Sequence, residues 1–171
     1  MLGKRSLASA LSAAQNAQLP PRTTAGTPAA TFDAQPGDDE VTDALLNTRE
    51  LATEIPLLAK VQREAPGIDI LVDPRALTLD KDAGGNAAFD VDIAVAALSS
   101  AYRNLVARRD RVSRIIAAAE LQRTYQNGLL LRVERPTHER AARLRVLVRD
   151  RSTGRIGTVD IPLDCCANVL H

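Results

Sequence analysis

The sequence predicts an all-β chain: an immunoglobulin- or fibronectin-like antiparallel β-sandwich, preceded by a disordered N-terminal tail and a short helix. Three observations carry this. Apolar and polar residues alternate with period two through Phe89–Ala96, Leu129–Glu134 and Arg143–Arg149, as half-buried strands require. Turn chemistry is concentrated between such runs, at Asp80–Asn86 and at Asp150–Arg155. Of the 171 residues 45% are apolar but only 2% aromatic, so Leu, Ile and Val must build the core.

Residues 1–37 show no strong period and are punctuated by Pro20, Pro21, Gly26, Pro28, Pro36 and Gly37. Such a segment buries too little apolar surface to offset the entropy of ordering it, so a disordered tail is expected. Lys4 and Arg5 followed by Ser6–Ala14 match a secretory signal poorly, because the apolar stretch is short and diluted by Ser. No acid precedes Asp33, which also suits a transit-type segment. Residues 38–65 form a linker. Asp38, Asp39 and Glu40 suit a helix N-terminus, and Val41, Leu45, Leu51, Ile55, Leu58 and Val61 roughly follow helical spacing. Pro56 should end that helix near Thr53 or kink it there. An extended stretch over Ile55–Val61 is the competing reading.

The sandwich itself is expected over residues 66–164. Ile68, Ile70 and Val72 open it. Phe89, Val91, Ile93 and Val95 share one face of the next strand, with Asp90, Asp92, Ala94 and Ala96 on the other. Residues 111–127 fit two descriptions. Val112, Ile115, Ile116 and Ala119 have helical spacing, with Asp110 as cap and Gly128 as stop. Alternatively Val112–Ala118 is a strand and Glu120–Asn127 a helical connection. Leu129, Leu131 and Val133 give another strand. Leu144, Val146 and Val148 lead into a hairpin in which Asp150 bonds back onto the turn and Gly154 takes the left-handed conformation. Ile156, Val159 and Ile161 form the return strand, ended by Pro162.

The segment Leu144–Pro162, with its Arg149-Asp150 and Thr153-Gly154-Arg155 hairpin, resembles the end of the VWFA-related proteins common in Acidobacteria. Looser matches at Phe89–Ala97 and Tyr125–Val133 extend the similarity to about residues 66–163. In that family a von Willebrand factor A-like domain precedes a C-terminal region of such strands. The resemblance implies the strand-then-helix description of residues 111–127, and a secreted or periplasmic location. No Asp-x-Ser-x-Ser motif is present, so the family's metal chemistry transfers to no residue here. The chain then corresponds to the accessory sandwich, either alone or as a fragment.

Charge is uneven. Residues 1–101 hold 8 basic and 14 acidic groups, net −6, and residues 102–171 hold 14 basic and 7 acidic, net +7. Arg143, Arg145, Arg149, Arg151 and Arg155 therefore define an alternative reading, a binder of nucleic acid or anionic surfaces. The scarcity of aromatics argues against single-strand binding.

Few motifs carry chemistry. No run of apolar residues is long enough to span a bilayer. Neither a phosphate-binding glycine loop nor a Gly-x-Ser-x-Gly elbow occurs. Asp80, Asp82 and Asn86 have calcium-loop spacing, but Val91 stands where the bidentate Glu belongs, so a plain hairpin loop is the preferred reading. Cys165 and Cys166 are adjacent, which strains a mutual disulfide; inert thiols in a frayed terminus over 165–171 are expected. His138 lies in a loop and His171 is the last residue, neither beside a nucleophile motif. No cofactor and no enzymatic activity are expected. The functional expectation is a structural or protein-interaction module. Ala94, Ala96, Leu130 and Leu147 would form an apolar strip on an outer sheet face, for a partner domain or self-association.

Overall fold

The computed structural model describes residues 38–62 and 65–163. The tail over 1–37 and Cys165, Cys166 and His171 lie outside the described residues. Two antiparallel sheets pack face to face. In chain order the elements are α1 (Asp38–Leu46), β1 (Leu57–Val61), β2 (Gly67–Val72), β3 (Asp80–Lys81), β4 (Ala87–Leu98), β5 (Asn104–Ile116), α2 (Ala118–Asn127), β6 (Leu129–Glu134), β7 (Arg143–Asp150) and β8 (Ile156–Pro162). The smaller sheet runs β1-β2-β6. In the larger, β4 pairs with β5 along one side, and with β3 and then β7 along the other; β8 follows β7. No helix among the described residues is long and apolar enough to cross a membrane.

Period-two burial builds the core as expected. Ile68, Ile70, Val72, Leu131 and Val133 from the small sheet meet Phe89, Val91, Ile93, Val95, Leu144, Val146 and Val148 from the large one. Burying each such side chain contributes about 1.5–3 kcal/mol. The last hairpin also forms as expected. Asp150 Oδ1 accepts from the Ser152 N–H at 2.8 Å, and Gly154 sits at φ 74. Asp150 is buried, and burial alone would push its carboxyl up. Hydrogen bonds from the Thr78, Ser152 and Thr153 backbone outweigh that, and its pKa falls below the usual value. Through the Thr78 N–H, 2.6 Å from Oδ2, this carboxylate ties the hairpin to the segment leading into β3.

Two expectations are corrected. The helical spacing that ran to Thr53 is a helix only to Leu46. The chain beyond it is taken by the edge of β8: Ala52 O accepts from the Thr158 N–H at 2.8 Å, and Thr53 bridges to Gly157. These backbone contacts with β8 outcompete local helical propensity, and β1 follows as the extended alternative. Over 111–127 the strand-then-helix description holds, but β5 starts at Asn104, well before the expected Val112. Gly157 is required here by close approach, since a Cβ at this position would lie 2.1 Å from Ile55 O.

Candidate interaction surface

The apolar strip expected from Ala94, Ala96, Leu130 and Leu147 does not exist as one surface. Ala94, Ala96 and Leu147 do share the outer face of the large sheet, but they are buried. With Leu98 and Ile156 they form a second apolar cluster beneath Leu45, Leu46, Ala52 and Tyr102. The cover is α1 and the chain that follows it. Alternation along β4 could not reveal this, because the covering residues lie about 50 positions upstream.

Arg145 pins the cover in place. It projects from the outer face of β7 yet is fully buried. Its Nε and Nη2 donate to the two carboxylate oxygens of Asp160 at 2.7 and 2.9 Å. Its Nη1 donates to Leu45 O at 2.8 Å and also to Thr48 O. A guanidinium therefore satisfies carbonyls at the C-terminal end of α1, where a positive charge suits the helix dipole.

The other proposed anion-binding arginines are mostly engaged inside the molecule as well. Arg151 pairs with Asp92 at 3.1 Å and Asp90 at 3.4 Å. Arg155 donates to the carbonyls of Ala76 and Glu54. Arg149 is half-buried and also interacts within the fold. These side chains are spent on contacts within the fold rather than held out to solvent. Arg143 differs: it packs on the Tyr102 ring, 4.0 Å from its centroid.

The calcium-loop residues close the β3–β4 turn. Asp82 accepts from the Asn86 backbone and side-chain amides, both at 2.9 Å. The Asn86 side chain is the chief reason the Asp82 carboxyl lies below its ordinary pKa. Asn86 Oδ1 in turn accepts from the Ala118 N–H at the start of α2. Asp80 is exposed in β3. Among the described residues no three His, Cys, Asp or Glu side chains come together as a metal site. His138 accepts from the Arg140 N–H in its loop.

Leu130 is exposed, on the outer face of the small sheet, and register gives it neighbours. Leu58 pairs with Leu71, and Leu71 with Leu130. The three leucines thus form one row across all three strands, exposed by 69, 37 and 53%. The next row is Lys60, Asp69 and Arg132. Asp69 accepts from Arg132 Nε at 2.8 Å and from Gln62 Nε2 at 2.7 Å; the Arg132 hydrogen bond chiefly lowers its pKa. Beyond the leucine row opens a groove of about 340 Å³, lined by Pro56, Leu57, Leu58, Leu71, Pro74 and Tyr125 among others. Arg75 stands at this groove, 5.7 Å from the Tyr125 ring centroid. Leu58, Leu71 and Arg75 were missed in the sequence. Leu58 fits the helical spacing that runs through Ile55, and Leu71 alternates with the core positions Ile70 and Val72, so neither stands out in sequence.

No protein-family model, curated protein or solved structure matches the chain.

Proposed function

We propose that this protein is a non-enzymatic interaction module that binds a partner protein through the outer face of its three-stranded sheet. The observation that carries the reading is the in-register row of Leu58, Leu71 and Leu130, open to solvent and continuous with an apolar groove. Contiguous exposed apolar surface of this kind marks interaction sites.

The occupant we assign is a short partner segment with apolar anchors flanked by acidic residues. Charge supports this. Arg132 and Arg75 project with 63 and 64% of their side chains exposed, and Lys60 is exposed as well. The carboxylates on this face are already engaged, Asp69 by Arg132 and Gln62, Asp73 by the Arg75 N–H and guanidinium, and Glu134 by Arg108. Size supports it too. Three strands by three rows span roughly 300 Å² at ordinary strand spacing. That is well below the roughly 800 Å² per partner of a standard stable interface.

The immunoglobulin- or fibronectin-like character belongs to this proposal. A three-stranded sheet, β1-β2-β6, faces a five-stranded one built from β3, β4, β5, β7 and β8, the two-sheet antiparallel plan used by many binding scaffolds. Kinship with the accessory sandwich of VWFA-related proteins is likewise proposed, on the Leu144–Pro162 hairpin.

Selection from a random peptide library tests the reading. Wild-type protein should enrich peptides with two or more large apolar residues bordered by Asp or Glu. Leu71→Asp with Leu130→Asp should abolish their binding while leaving the fold intact. Absence of any enriched motif, or binding that survives the double substitution, would contradict it. So would a wild-type dimer that this substitution dissociates, since a second copy would then be the occupant.

A further inference from the structure

On the far side of the sandwich, the β4–β5 hairpin holds a residue in a costly conformation. Tyr102 has φ 63, the one non-glycine residue with positive φ among the described residues. The turn closes through Tyr102 N–H to Ser99 O and Ser99 N–H to Arg103 O, both at 3.0 Å. Glycine would meet the same turn without strain. A bulky aromatic in the left-handed region is an outlier whose retention points to use of its side chain.

That side chain gathers three guanidinium groups. Arg143, Arg49 and Arg145 lie 4.0, 5.5 and 5.7 Å from the ring centroid, and Arg143 Nη1 also donates to the Tyr102 hydroxyl. Arg145 is neutralised by Asp160. Arg49 and Arg143 have no carboxylate within ion-pair distance among the described residues, unlike Arg108, Arg111, Arg132 and Arg151. Arg143 Nε is buried without a hydrogen-bond partner, and so is Asn104 Oδ1. Both residues pair across the sheet with Leu98, one on each side, so they lie in a single row on this face. They flank Leu98, two strand spacings apart, and each unmatched polar atom is costly on its own.

We propose that Arg49, Tyr102 and Arg143 form a binding site for a phosphate monoester or inorganic phosphate. Arg49 and Arg143 supply the charge and donors an oxyanion needs. A phosphate monoester carries close to two negative charges, one for each of these two guanidinium groups without a carboxylate partner. The Tyr102 ring offers an apolar wall for whatever group carries the phosphate.

Titration of the full chain with inorganic phosphate and with phenyl phosphate, followed by NMR, tests this. Saturable shifts at the Tyr102 amide and the Arg143 Nε–H signal are expected, absent with chloride at equal ionic strength. Arg49→Gln, a change at an exposed side chain, should weaken binding about tenfold, the loss of roughly one charge-assisted contact. Tyr102→Gly should relieve the turn and remove tighter binding of the phenyl ester. Tighter phenyl phosphate identifies an aromatic monoester as the source, and equal affinities identify free phosphate. No saturable shift, or shifts unchanged in Arg49→Gln, would overturn the assignment.

Discussion

On the outer face of the large sheet, Ala94, Ala96, Leu98 and Leu147 lie under α1 and the chain following it. On the outer face of the small sheet, Leu58, Leu71 and Leu130 stand exposed. Both faces carry aliphatic side chains at strand spacing, and both hold an arginine–aspartate pair. Arg145 with Asp160 is sealed beneath the cover, whereas Arg132 with Asp69 faces water. The difference is whether the chain supplies its own lid. Where it does, a polar pair becomes a structural bolt; where it does not, the same chemistry remains on the surface for a partner.

The largest expected effect comes from removing the bolt. Arg145→Ala strands the Asp160 carboxylate and frees carbonyls at the end of α1, and should cost about 3–5 kcal/mol in urea unfolding. A loss near zero would mean that α1 does not depend on this residue. Gly157→Ala attacks the same cover from its other end. Its Cβ would collide with Ile55 O, a backbone atom with little room to yield. A loss of about 1–3 kcal/mol is expected, with faster amide exchange at Thr158, whose N–H holds Ala52.

Asp150 gives a pH-dependent test of the large sheet. Its folded pKa is depressed, so its stabilising contribution is present above the unfolded value of about 3.9 and is lost as pH falls through the folded value. Asp150→Asn should therefore be less stable than wild type at pH 7, and the gap should close below about pH 4. The smallest effect is expected on the open face. Arg132→Ala should leave the unfolding midpoint unchanged within error, because an exposed pair is well screened. A large loss there would mean that the open face is part of the core.

The core was legible because burial between two sheets imposes period two, and Phe89 to Val95 and Leu144 to Val148 obey it. The hairpin at Asp150 and Gly154 was legible because its turn chemistry is local. The cover was not. Its evidence lies in contacts such as Arg145 to Leu45 and Thr158 to Ala52, roughly 100 residues apart in sequence. An Arg alternating with Leu and Val reads as solvated in any local window. The leucine row was half legible: Leu130 was singled out, but its partners Leu58 and Leu71 depend on strand register. Tyr102 was invisible, since nothing in Ser99–Arg103 announces a left-handed tyrosine.

The unequal fate of the two faces can be read directly by thiol accessibility. In a Cys165→Ser, Cys166→Ser background, Leu147→Cys and Leu130→Cys each place one reporter on an outer face. Under native conditions Cys at 130 should react with a soluble disulfide reagent at the rate of a free thiol. Cys at 147 should react at least about a hundredfold more slowly, through opening of the cover. Equal rates would contradict the account.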